Sequence, residues 1–91
     1  MLQLRDDPIV RLNRAVAVAE VSGPQVGLDE VEALDGAAME SFAPYHAVRA
    51  DLLARLRRPD EARAAYDMVL SLAPPPAERL WLERKRAALG A

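Results

Sequence analysis

The sequence predicts an all-α fold, and three observations carry that prediction. Prolines fall where helices can begin, apolar residues between them recur every three or four positions, and the chain resembles itself at a shift of 35 residues. No stretch shows a convincing alternation of the strand type.

Asp7-Pro8 places an N-cap acceptor before a proline at the first helical position, where its missing N–H costs nothing. A first helix is expected from Pro8 to about Val21. Its middle, Ala15-Val16-Ala17-Val18-Ala19, is apolar nearly all round, which predicts a helix contacted on several sides. The valines would also suit a strand, but Asn13, Arg14 and Glu20 on either side fit a helix better. Ser22-Gly23-Pro24 ends that helix and begins the next, with Val26, Leu28, Val31 and Leu34 at helical spacing before Asp35-Gly36.

Residues Ala37 to Ala43 show no period and read as a connecting loop with room for a helical turn. Pro44 opens a third helix to about Leu56, with Ser41 a possible upstream cap and Tyr45, Val48, Leu52, Leu53 and Leu56 at helical spacing. Pro59 opens a fourth, with Asp60 and Glu61 in the first turn, where acids favour the helix dipole, and a face of Ala62, Ala65, Tyr66, Val69 and Leu70. It is expected to end near Ala73. After the rigid Pro74-Pro75-Pro76, a fifth helix runs to about Leu89 before Gly90, with a stripe of Leu82 and Leu89 flanked by Trp81 and Ala88.

The shift of 35 residues sets Ala15 on Ala50, Val18 on Leu53, Gly27 on Ala62, Val31 on Tyr66 and Leu34 on Val69. Two helix-turn-helix units near the ~34-residue period, followed by one amphipathic helix, suggest tetratricopeptide (TPR) repeats. The expected architecture is therefore a TPR-like right-handed superhelix of two helix-turn-helix repeats plus a C-terminal capping helix. Small residues at 50 and 62 would let paired backbones approach closely. The first unit is degenerate, with Gly27 replacing the small alanine. Arg57 stands where a TPR turn usually has glycine, which predicts a tighter or differently shaped turn. A generic antiparallel bundle with coincidental alanines is the alternative.

Composition narrows the function. The 91 residues suit a single domain over 1–91, and no apolar run approaches the ~20 needed to span a bilayer, so a soluble, cytoplasmic protein is expected. Without cysteine there are neither disulfides nor thiolate metal sites. Twelve Lys plus Arg against 14 Asp plus Glu leave a net charge of −2, without the positive excess of a domain that grips nucleic acid by itself. One histidine gives no metal constellation, no nucleophile accompanies it, and the four glycines form no phosphate loop. No enzyme activity, cofactor or metal is expected.

The string from Pro8 to Glu20, with its Leu12-Asn13-Arg14-Ala15 block, resembles the C-terminal TPR extension of a group of bacterial extracytoplasmic-function (ECF) RNA polymerase sigma factors. Gly23-Pro24, the segment Tyr45 to Leu53, the segment Asp60 to Tyr66, and the ending Pro76 to Arg84 agree in order. The resemblance implies a regulatory, protein-binding role in transcription initiation, with the sigma factor's N-terminal region, core RNA polymerase or both as partners. The promoter-reading and polymerase-binding sigma segments do not occur in this sequence. The reading is thus of a domain from a longer sigma factor, and Met1-Leu2-Gln3-Leu4 reads as the tail of an earlier helix. A stand-alone TPR adaptor is the competing expectation, and homodimerisation through exposed end helices is compatible with both.

The concave surface formed by the first helix of each pair is the expected binding groove, drawing on Asn13, Ala17 and Glu20 from the first helix and Ala47, Asp51 and Arg55 from the third. For Asn13, a hydrogen bond to a turn carbonyl is the plainer expectation. His46 and Arg49 share a helix face and Asp51 is placed to pair with Arg55, all read chiefly as structural bonding. Trp81 either seals the last repeat or offers a partner an aromatic anchor, and sealing is expected. Asp6-Asp7 and Asp60-Glu61 read as helix capping, and Arg84-Lys85-Arg86 as a solvated helix end.

Overall fold

The computed structural model describes residues 7–34 and 36–89. Among them are five helices and no strand: α1 (Pro8–Ser22), α2 (Pro24–Glu32), α3 (Ala43–Arg55), α4 (Pro59–Ser71) and α5 (Pro76–Ala87). Every helix carries a proline in its first two positions, so the prolines set the starts as expected. The stretches assigned to Met1–Leu4, Asp6, Asp35 and Gly90 lie outside the described residues.

Asp7 caps α1, its Oδ1 accepting the Ile9 N–H at 2.9 Å. The helix ends at Gly23, whose N–H donates to the Ala19 carbonyl at 3.0 Å and whose own carbonyl accepts the Gly27 N–H at 3.3 Å. One residue thus closes α1 and opens α2. Its φ of 100° and ψ of 160° belong to a region that only glycine enters without strain. The chain reverses there, so that Arg14 faces Glu30 and Gly27 lies against Ala15 and Ala19. This is an antiparallel helical hairpin.

At Gly27 the two backbones come close together. A Cβ placed there would lie 2.6 Å from the Ala19 Cβ and 2.9 Å from the Ala15 carbonyl oxygen. Glycine is therefore what the packing of this hairpin requires, and is not a weakened version of the alanine seen 35 positions later.

The second hairpin, α3 and α4, turns through Leu56–Arg58. Arg57 adopts a left-handed backbone with φ 61°, its N–H bonded to the Ala54 carbonyl at 3.1 Å and the next N–H, of Arg58, to the Leu53 carbonyl at 3.0 Å. This doubly bonded cap is the one glycine enters freely, so the turn keeps a glycine's shape with an arginine in it. The strain of a left-handed residue with a side chain is about 1 kcal/mol.

The internal repeat is visible in three dimensions. α1 and α3 begin at residues 8 and 43, α2 and α4 at 24 and 59, each pair separated by the shift read from the sequence. The equivalent residues Ala15 and Ala50, Gly27 and Ala62, Val31 and Tyr66, Leu34 and Val69 are all buried. α1 packs on α2 and α3, α2 also on α3, α3 on α4, and α4 on α5. A single apolar core, from Leu12 to Leu82, runs through these contacts. No helix among the described residues is long and apolar enough to cross a membrane.

Several details differ from the expectation. α1 is not enclosed on several sides: only Leu12, Ala15 and Ala19 are buried, because α2 and α3 cover one side and leave Val16 and Ala17 exposed. Val26 points outward and Leu34 is buried from beyond the end of α2. Ser41 does not cap α3, which starts one residue earlier, at Ala43, with Phe42 as its N-cap. Asp60 and Glu61 make no side-chain cap; they sit in the first turn of α4 and pair with Arg63 and Arg58. In α5 the buried residue is Leu82, while Trp81 is 54% exposed, so the tryptophan does not seal the end of the structure.

Candidate functional site

α1 and α3 lie side by side as equivalent helices of the two hairpins, and their junction forms an open groove of about 380 Å³. Val16 from α1 and Ala47 and Val48 from α3 give it an apolar floor. Trp81 reaches it from α5 and forms a wall. An exposed aromatic side chain beside an aliphatic floor is the arrangement from which protein-binding anchors are built.

The rim is charged. Arg55 pairs with Asp51 one turn earlier on its own helix, Nη2 to Oδ2 at 3.0 Å, and with Glu20 of α1, Nη1 to Oε2 at 3.2 Å. Two carboxylates on one guanidinium leave this rim with one negative charge in excess. The Asp51–Arg55 pairing is the one expected from their helical spacing. Lys85 stands over the Trp81 ring with its Nζ 5.5 Å from the centroid, a cation–π contact.

Of the six residues assigned to the groove, Glu20, Ala47, Asp51 and Arg55 come together at this junction. Asn13 and Ala17 are exposed on α1 along the stripe that leads to Glu20, outside the groove lining. Asn13 bonds to no turn carbonyl among the described residues. Sequence reasoning missed Val16, Val48 and Trp81 as groove residues. The signal for Val16 was present, since a helix apolar on every side must leave one side uncovered when only two neighbours pack on it.

His46 is structural, as expected. It is buried, its Nε2 lies 2.7 Å from the Glu40 carbonyl oxygen, and Tyr45 meets its ring edge-on at 5.0 Å. The His46 ring thereby fastens the 36–42 connection to α3. Arg49 crosses to Glu32 of α2 at 3.1 Å, tying the two hairpins on this side. The basic run is only in part solvated, because Arg86 pairs with Asp67 of α4 at 2.6 Å. Among the described residues no cluster of His, Asp and Glu is arranged to hold a metal ion.

These features define an all-helical domain of two stacked hairpins and a fifth helix, with an open groove at the junction. The chain is 38% identical over 89 residues to an uncharacterized protein of Rhizobium meliloti (strain 1021), covering 98% of this chain. It spans about a fifth (21%) of that relative's length, so in the relative the matching segment is one part of a much longer protein. No protein-family profile matches the chain, and no solved structure matches it significantly.

Proposed function

We propose that this chain is a TPR-like interaction domain that regulates an ECF-type RNA polymerase sigma factor. In this reading the groove between α1, α3 and α5 receives a segment of the sigma factor's own N-terminal region. The observation that carries the reading is the groove itself: an aliphatic floor, a half-exposed tryptophan and an acidic rim at the joint between two repeats. Such a site takes an aliphatic or aromatic anchor flanked by a basic residue. The 35-residue agreement of helix starts and buried small residues supports the TPR-like description. The resemblance of the ordered segments from Pro8 to Arg84 to the ECF extension supports the sigma-factor reading.

The test is direct binding of the 91-residue domain to a purified ECF sigma N-terminal region and, separately, to core RNA polymerase, by calorimetry. Binding to the sigma region that is lost in Trp81→Ala and Val48→Asp, with helicity unchanged, is the expected result. Binding to core polymerase alone would move the contact to the enzyme while keeping the regulatory role. Binding to neither would leave an adaptor acting on an unrelated protein and would sink the sigma-factor reading.

A further inference from the structure

A second recess, of about 440 Å³, lies on another part of the surface, between the α3–α4 turn and the end of α5. We propose that it is a binding site for a small organic carboxylate with an apolar body, received by Arg57, Lys85 and the Tyr66 hydroxyl. The proposal is independent of the groove and of any partner assigned to it.

Three observations carry it. Arg57 and Lys85 both line the recess, and neither has an acidic partner among the described residues. Arg55 and Arg58, on either side of Arg57 in the chain, are both paired, so acidic residues are not scarce here. A guanidinium and an ammonium borne by residues that line one recess, neither with an acidic partner, suit a carboxylate.

Tyr66 also lines the recess. It is 1% exposed, and its hydroxyl has no hydrogen-bond partner among the described residues. A hydroxyl bonded to no protein group, on a residue that lines a recess, is available to donate to an acceptor placed there. Burial foremost, and then the charge of Asp51, raises the hydroxyl's pKa above its ordinary value of 10.0, so at neutral pH it keeps its proton and donates.

The remaining walls, Ala54, Pro59, Ala88 and Leu89, are apolar. The ligand therefore has a charged end and a hydrocarbon or aromatic remainder, as small-molecule sites of this size generally require.

Lys85 provides the readout. Its ammonium stands 5.5 Å from the centre of Trp81, the protein's one tryptophan. A carboxylate that draws Lys85 into the recess takes that charge from the indole face and changes the indole's emission. Benzoate and octanoate are the probes, benzyl alcohol the neutral control and inorganic phosphate the control for charge alone. Each is titrated into the domain through the millimolar range while tryptophan emission and thermal midpoint are followed.

The expected result is a saturable change in both signals with at least one of the two acids, and none with benzyl alcohol or phosphate. Arg57→Gly and Lys85→Gln should each weaken the binding by about tenfold, and Tyr66→Phe severalfold. Arg57→Gly relieves a strained position and Tyr66→Phe removes an unpartnered hydroxyl, so neither loss of binding can be put down to unfolding. Failure of both acids to saturate, an equal response to phosphate, or unchanged binding in all three variants would each overturn the proposal.

Discussion

Glu20 and Arg55 stand 35 residues apart and meet at 3.2 Å. That separation is the shift of the repeat, so the two side chains occupy the same position in successive hairpins and join them by opposite charge. Two identical repeats could not do this, because a residue facing its own copy would meet a like charge. The divergence of the two units at this position is therefore part of how they stack. Asp51 takes the other edge of the same guanidinium at 3.0 Å.

The energetic weight of this contact is small. The Glu20 and Arg55 side chains are 64% and 43% exposed, a setting in which ion pairs contribute no more than about 1 kcal/mol. Glu20→Gln and Arg55→Gln should each leave the helical circular dichroism unchanged and cost less than that in urea unfolding. Their coupling, measured by a double-mutant cycle, should shrink as salt is raised. A coupling that survives high salt would mean the pair is shielded in a way its exposure does not suggest.

Gly27→Ala should destabilise the domain although alanine is the better helix former by about 1 kcal/mol. The added Cβ meets a carbonyl oxygen and a methyl group that belong to the partner helix, and neither can rotate away. Separating α1 from α2 should cost about 1–3 kcal/mol net. In a domain of this size that lowers the thermal midpoint by roughly 4–8 °C for each kcal/mol. Gly23→Ala should cost a similar amount for the opposite reason: there the space is open and the backbone conformation forbids the side chain.

Arg57→Gly should stabilise the domain by about 1 kcal/mol, since φ 61° costs glycine nothing and the bonds from residues 57 and 58 to α3 remain. Ala73→Gly, at φ 57° after α4, should act in the same direction. A rise in the urea midpoint with unchanged slope is the sign to look for.

Tyr66→Phe should leave stability at neutral pH unchanged or slightly improved, because no hydrogen bond is lost with the hydroxyl. The difference should appear in alkali. A phenol whose pKa is raised by folding stabilises the native state below the unfolded value of 10.0, and that contribution fades as pH rises above it. Unfolding curves that coincide near neutral pH should therefore separate as pH rises above 10.0, with the variant increasingly favoured over the wild type.

Trp81→Ala should cost little stability, as the ring is 54% exposed, while abolishing most binding at the groove. Leu82→Ala, one residue further on, should do the reverse and cost about 2–5 kcal/mol, since that side chain is 1% exposed. Parallel thermal melts and partner titrations of the two variants separate the roles.

The helix starts were legible in the sequence because proline acts locally: it fixes its own φ and lacks an N–H wherever it stands. The burial of α1 was not, because Ala15 to Ala19 are apolar on every face and so carry no contrast that says which face is covered. Only the neighbours decide it. Gly27 read as a missing methyl group where the structure has a closer approach, and no sequence records an interhelical distance. At the groove, Glu20, Asp51 and Arg55 were expected on the surface shared by the first helices of the two pairs, and the Asp51–Arg55 pair followed from helical spacing; the Glu20–Arg55 contact did not. Trp81 was misplaced because hydrophobicity favours burying the larger ring. α5 packs on α4 alone among the helices, and that contact admits Leu82 and leaves its neighbour outside.

α5 is tied down by little else. Beyond the rigid prolines 74–76 it buries one side chain, Leu82, and adds the Arg86–Asp67 pair, with Leu89 just past its end partly buried against the core. Burying one leucine contributes about 1.5–3 kcal/mol. An element held by so little opens locally without the rest of the fold, and its amides should exchange with solvent ahead of those in α3 and α4. Yet Trp81 walls the groove and Lys85 the recess, so lifting α5 dismantles both at once. The slowing of deuterium uptake across residues 76–87 is thus a common gauge of occupancy at two places the chain otherwise keeps apart.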